Sequence, residues 1–171
     1  MLLSAKEIHD MIAAGTLVKN CIDAQKQVQQ CGVDLTVGAI YTLHGEGVLD
    51  FSNEKRKLPE YKEIKPQKNA WRLKPGTYHA AMNEHIELPN NIAGLLLPRS
   101  SALTCGLEVH SALWDPGYAG RSFMHFSLTR SITLHKNARI AQMIFFRLLE
   151  TLAYSGTFKG EDILKTRKRG T

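Results

Sequence analysis

No stretch of this 171-residue chain is apolar for long enough to cross a membrane: its longest uncharged apolar run, residues 92–98, falls far short of the roughly 20 residues a bilayer core requires. A secretory leader is not expected either. Met-Leu-Leu-Ser passes at once into an amphipathic, charged stretch with no apolar core and no small-residue cleavage site. Cysteine is scarce: Cys21, Cys31 and Cys105 are odd in number and lack CxxC spacing, which argues against a disulfide framework and against a zinc site. The seven histidines (His9, His44, His79, His85, His110, His125, His135) contain no i, i+4 pair, so they read as packing residues and not as metal ligands. Internal repeats and low-complexity tracts are absent too. These absences together point to a cytoplasmic globular protein with no membrane partner.

What is present suits a single domain. Hydrophobic residues make up 43% and charged residues 22%, both ordinary for a soluble fold. The net charge of +6 asks for an anionic partner, a nucleotide or a nucleic acid, without choosing between them. Ser4-Ala5-Lys6-Glu7 has the S-x-x-E form of a capping box, and Ile8, Met11 and Ile12 recur at helical spacing before Gly15, so a short helix is expected over residues 4–14. From Gly32 the period changes to two, with Val33, Leu35 and Val37 alternating with Asp34, Thr36 and Gly38. Residues 50–68, rich in charge and containing Pro59 and Pro66, are expected to be an exposed loop. The short apolar runs beyond them are bounded by Pro75-Gly76, Pro89-Asn90-Asn91, Asp115-Pro116-Gly117 and Lys136-Asn137. That spacing predicts a mainly β barrel or sandwich and not a parallel α/β sheet. Residues 1–153 are read as the domain, and residues 154–171 as a flexible basic tail ending Lys165-Thr166-Arg167-Lys168-Arg169.

Three segments have the residue types for chemistry. Pro98-Arg99-Ser100-Ser101 offers a guanidinium fork, two hydroxyls and backbone N–H groups to a phosphate, although Ser-Ser is also a common helix cap. Asp115-Pro116-Gly117-Tyr118 is a tight turn in which Pro116 presets φ and Gly117 accepts a positive φ. Asp115 is there either a local cap or a general base. Gln142 interrupts an apolar run, and a buried amide must satisfy neighbouring backbone or face a polar ligand.

In order and spacing these segments resemble the deoxyuridine triphosphatase and deoxycytidine triphosphate deaminase superfamily. Gly32-Val33-Asp34-Leu35 resembles its first motif, Pro98-Arg99-Ser100-Ser101 its second, Leu113-Trp114-Asp115-Pro116-Gly117-Tyr118-Ala119-Gly120 its third, and Arg139-Ile140-Ala141-Gln142-Met143-Ile144-Phe145 its fourth. The N-terminal helix and long first half are closest to the deaminase branch and its archaeal-type dUTPase relatives. The resemblance implies a distorted β-barrel or jelly-roll protomer in a homotrimer with interfacial active sites. It implies that Arg99, Ser100, Ser101 and Gln142 hold the triphosphate and that Asp115 deprotonates water. Tyr118 would lie against deoxyribose, and the turn around His110, Ser111 and Ala112 would read the pyrimidine. Residues 154–159 partly match the family's C-terminal lid, giving Phe158 a stacking role and Lys159 a phosphate contact. Magnesium would be held mainly through substrate phosphates, with no protein ligand set.

Two departures separate the branches. Deaminases carry D-P-G-W-x-G-x-x-x-x-E and a second arginine after R-S-S, whereas this chain has His125 and Thr104 at those places. Deamination needs a carboxyl group to shuttle protons, which disfavours it here and leaves hydrolysis of dUTP to dUMP and pyrophosphate as the expected reaction. The competing readings are a dCTP deaminase, a bifunctional deaminase and dUTPase, and a non-catalytic nucleotide-binding regulator. Nucleic-acid binding is disfavoured because the basic residues are not interleaved with an aromatic platform.

Overall fold

The computed structural model describes residues 1–149, 151–152 and 154–163. Helix α1 (Ala5–Ala13) opens the chain, followed by β1 (Leu17–Lys19), the one-turn α2 (Ala24–Gln27), β2 (Val28–Gln29) and the long β3 (Gly32–His44). Next come β4 (Glu60–Ile64), β5 (Ala70–Leu73), β6 (Gly76–Met82), β7 (His85–Glu87) and β8 (Ile92–Pro98). Helix α3 (Ser100–Thr104) precedes β9 (Leu107–His110), β10 (Ala119–Gly120), β11 (Phe123–Leu128), β12 (Ile132–His135) and β13 (Arg139–Arg147).

The expected N-terminal helix forms, and its capping box is complete. The Glu7 N–H donates to the Ser4 hydroxyl at 3.4 Å, and the Glu7 carboxylate accepts the Ser4 N–H at 3.0 Å. Its apolar stripe places Ile8 fully in the core, with Met11 and Ile12 packed beside it.

The main sheet runs β8-β13-β3-β6-β11-β9, with β2 and β4 pairing onto β3. Strand β8 meets the segment that follows β9. Gly94 and Trp114 exchange N–H···O bonds of 2.9 Å, and the Leu96 N–H donates to the Ser111 hydroxyl at 3.1 Å, so the sheet curls into a nearly closed barrel. Smaller sheets, β1-β7-β10 and β12-β5, flank it. Phe126, Phe145, Leu35, Ile40 and Met82 fill the centre with no exposed surface, each contributing roughly 1.5–3 kcal/mol through burial.

Strand β3 departs from the usual meaning of alternation. Val33, Leu35 and Val37 enter the apolar core, yet the intervening Asp34 and Thr36 are also buried, at 0% and 2% exposure. The polar face of β3 is an internal polar layer, not a solvated surface. Residues 50–68 are largely exposed, as expected, but not all of them are loop. Glu60–Ile64 pair along β3 from His44 to Ile40, and Pro59 and Pro66 bracket the strand where their missing N–H groups break no ladder bond.

The segment after the barrel lies against it. The Tyr154 N–H donates to the Pro116 carbonyl at 2.7 Å and the Gly160 N–H to the Ala119 carbonyl at 2.6 Å, while Arg121 pairs with Asp162 at 3.3 Å. Ile163, 3% exposed, packs with Ala39, Tyr41 and Ala81. The rest of the tail expected at residues 154–171, including Lys165, Thr166, Arg167, Lys168 and Arg169, lies outside the described residues. Among the described residues no helix is long and apolar enough to cross a membrane.

Candidate functional site

The motif residues fall into two groups. The first is organised by Asp34 on β3. Strand β8 ends at Pro98, and Arg99 adopts an extended backbone at the start of α3, its N–H donating to the Ile140 carbonyl at 3.1 Å. This places the Arg99 Nε 3.0 Å from Asp34 Oδ2. Arg139, across the β3–β13 ladder, brings its guanidinium to 3.3 Å from the same oxygen and donates to the Lys26 carbonyl at 2.6 Å. Gln142 Nε2 donates to Asp34 Oδ1 at 3.4 Å, which accounts for the polar break in the β13 run. Burial pushes the Asp34 carboxyl up, against the opposing pull of Arg99, Arg139 and Gln142. One carboxylate thus holds two guanidiniums, and the hydroxyls of Ser100 and Ser101 are exposed beside them. That donor-rich surface suits a polyanion.

The second group lines a cleft of about 400 Å³. Asp115 enters it from the turn between β9 and β10. The Tyr118 N–H donates to the Asp115 carbonyl at 3.1 Å, and Gly117 has φ +79°, the conformation expected from the sequence. The Asp115 side chain is half-buried and has no ion pair among the described residues. Tyr118 beside it is buried, and burial pushes its hydroxyl up to about 12, so it stays protonated. Gly120 permits this packing, because a Cβ there would lie 2.7 Å from the Tyr118 hydroxyl and 2.8 Å from the Glu161 carbonyl.

One wall of the cleft is aromatic. Tyr61 and Phe123 stack at 4.4 Å with ring planes 13° apart. Beside them His79, His125 and His110 occupy one register row across β6, β11 and β9. His125 Nδ1 lies 2.8 Å from His79 Nε2, and the His110 ring centroid is 5.2 Å from that of His125. Burial, and then the neighbouring His110, hold the His125 imidazole below the usual histidine range.

Asp115, His110, Ala112, Tyr118 and Phe158 therefore share one cleft. Ser111 does not line it: its hydroxyl accepts from Leu96 and donates to the Ala112 carbonyl at 2.6 Å. Arg99, Ser100, Ser101 and Gln142 lie in the Asp34 group instead, and the Lys159 ammonium donates to the Tyr154 carbonyl at 3.3 Å. Sequence reasoning missed the convergence of His79 and His125, since histidines far apart in the chain meet only through strand register. It also missed Tyr61 and Phe123, whose pairing depends on a strand hidden within a charged segment.

Residues 2–148 match the model of the dCTP deaminase-like family. The chain belongs to that family. Among its relatives, a deoxyuridine 5'-triphosphate nucleotidohydrolase of Methanocaldococcus jannaschii is 43% identical over 155 residues, covering 88% of this chain and 99% of that protein. A probable deoxyuridine 5'-triphosphate nucleotidohydrolase of Archaeoglobus fulgidus is 39% identical over 164 residues, covering 94% and 97%. The fold is that of the solved 2'-deoxycytidine 5'-triphosphate deaminase of Agrobacterium tumefaciens, with a TM-score of 0.66 at 18% identity over 84% of this chain. This chain spans about half of that deaminase, 47% of its length. These two nucleotidohydrolase relatives align with this chain along almost their whole length.

Proposed function

We propose that this member of the dCTP deaminase-like family hydrolyses dUTP to dUMP and pyrophosphate. The observation that carries the reading is Asp115, an unpaired, half-buried carboxylate that shares a cleft of about 400 Å³ with the stacked rings of Tyr61 and Phe123, a flat aromatic wall against which a pyrimidine can pack. Asp115 accepts a proton from water, whose oxygen attacks the α-phosphorus. The bond from that phosphorus to the α,β-bridging oxygen breaks, and pyrophosphate leaves. Tyr118 packs against deoxyribose, Phe158 covers the base, and His110, Ser111 and Ala112 border the pyrimidine, Ser111 by fixing the backbone. Arg99, Ser100, Ser101 and Gln142 bind the phosphates, with Lys159 turning from the Tyr154 carbonyl to join them.

The described residues contain no group of three His, Cys, Asp or Glu side chains placed to hold a metal. With the Asp34 carboxylate engaged by two guanidiniums and Asp115 the free carboxylate of the motifs, the residues present would suit a magnesium ion held chiefly through phosphate oxygens and water. Bound in that way, magnesium supplies positive charge to the triphosphate.

The phosphate-binding residues do not line the Asp115 cleft of their own chain, which supports sites completed by a neighbouring protomer of a homotrimer. Leu97, Leu103 and Leu113, beside the second and third motifs, are 44%, 49% and 57% exposed and give such an interface apolar surface. Mixing Arg99→Ala protein with Asp115→Asn protein then restores dUTP turnover that neither variant has alone. Unrestored turnover in co-refolded mixtures contradicts shared sites.

The direct test is product formation from a panel of deoxynucleoside triphosphates. dUMP and pyrophosphate from dUTP, lost in Asp115→Asn, support the reading. Ammonia from dCTP transfers the chain to the deaminase branch, and tight dUTP binding without any product makes it a regulator.

A further inference from the structure

A row of three histidines across adjacent strands of one sheet is an unusual use of a cleft wall. His79 on β6, His125 on β11 and His110 on β9 are direct cross-strand partners. Side chains on one face of an antiparallel sheet stand about 5 Å apart in such a row, so the three rings form a strip. All three border the cleft that holds Asp115, with Tyr61 and Phe123 forming the adjoining aromatic wall. Packing alone does not explain the strip, because apolar residues at these positions would fill the same volume without polar atoms to satisfy.

The hydrogen bonds within the row differ in kind. His110 Nε2 is 3.0 Å from the hydroxyl of Ser127, two residues along β11 from His125. His125 Nδ1 faces His79 Nε2 at 2.8 Å, a distance at which one proton lies between two ring nitrogens. When both rings are neutral, the position of that proton dictates the rest. If His79 donates, His125 has its own proton on Nε2; if His125 donates, its Nε2 is bare. His125 Nε2 has no hydrogen bond to any described residue. The nitrogen left over for a ligand is therefore a donor or an acceptor according to what His79 does.

The pyrimidines differ in that same property. Uracil presents a carbonyl oxygen, an acceptor, at its 4-position, whereas cytosine presents an amino group, a donor, there. We propose that His125 is a specificity-determining residue that donates from Nε2 to the 4-carbonyl of uracil, and that His79 is a positioning residue that fixes the required tautomer through Nδ1. This rests on the dUTP-hydrolase reading and adds to it how the base is chosen. A neutral imidazole is needed, and the buried setting of His125 beside His110 favours that form. Asp115, acting on the phosphate, has no part in the choice.

The experiment compares kcat/KM for dUTP and for dCTP in wild type, His125→Phe, His79→Phe and His79→Gln, each checked by circular dichroism. His125→Phe and His79→Phe lower the dUTP/dCTP ratio about tenfold, the effect of one lost hydrogen bond to the base, and the change falls on KM for dUTP and not on kcat. His79→Gln, whose amide can still donate to Nδ1, keeps the ratio within about threefold of wild type. A merely structural role would change both substrates in parallel and leave the ratio alone. In parallel, 15N spectra of histidine-labelled wild type titrated with dUMP report the tautomer directly, with His125 showing a protonated Nε2 and a bare Nδ1 that shift on saturation. A ratio unchanged in both folded phenylalanine variants overturns the proposal, as does a His125 signal that ignores dUMP or shows the proton on Nδ1. Absence of any dUTP turnover in wild type counts against the hydrolase reading instead, and the dUMP titration still decides the contact.

Discussion

Two aspartates in this barrel have opposite fates. Asp34 is buried on β3, and both of its oxygens are engaged by Arg99, Arg139 and Gln142 within 3.4 Å. Asp115 stands half-buried at the end of a tight turn, with no ion pair among the described residues. The first carboxylate is committed to holding cations in place, so its contribution is geometry. The second is left available, which a general base requires. Position in the fold produces the difference. A strand interior surrounds a side chain with partners from both neighbouring strands, whereas a turn with φ fixed by Pro116 and Gly117 presents one to open space.

If the division holds, substitutions at the two sites fail in different ways. Asp115→Asn keeps the shape and removes the base, so kcat for dUTP falls by about 10²–10⁴-fold while the thermal midpoint hardly moves; steady-state kinetics with calorimetry check both. Asp34→Ala leaves two guanidiniums without their counter-charge and lowers the unfolding free energy in urea by about 3 kcal/mol. Equal stability losses at both positions would erase the contrast. A smaller effect is expected at the closing segment. Asp162→Ala breaks a pair with Arg121 whose side chains are 20% and 14% exposed, and raises KM for dUTP about threefold, the scale of a partly screened ion pair. An unchanged KM would mean that the docked segment does not cover bound substrate.

The smallest expected effect is on pH. His125 has its imidazole held below 6.5 by burial and by His110, so the folded state resists its protonation. Its contribution to stability is present above pH 6.5 and is lost as pH falls through the lowered folded value. Urea midpoints measured from pH 7 down to pH 5 therefore decline more in wild type than in His125→Phe. Matching curves would place the acid sensitivity at other groups, of which His85, also lowered by burial, is one.

Local physics made much of this legible from sequence. Ser4 and Glu7 satisfy each other over three residues, and Pro116-Gly117 fixes its own turn, so the N-terminal helix and the Asp115 presentation needed no tertiary information. The four motif segments likewise pointed to the family. Strand pairing was another matter. β4 was hidden because its charged residues face outward while its backbone satisfies β3, a constraint set by a partner about 20 residues away. The burial of Asp34 and Thr36 was not legible, because alternation reports which residues share a side, not what covers it. The His79–His125 contact spans 46 positions and exists only through register.

The central claim, that water beside Asp115 attacks the α-phosphorus of dUTP, is most directly tested by turnover in 18O-water followed by mass spectrometry of the products. The account predicts one labelled oxygen in dUMP, unlabelled pyrophosphate, and loss of both products in Asp115→Asn. Label in pyrophosphate, or turnover surviving in Asp115→Asn, would contradict it.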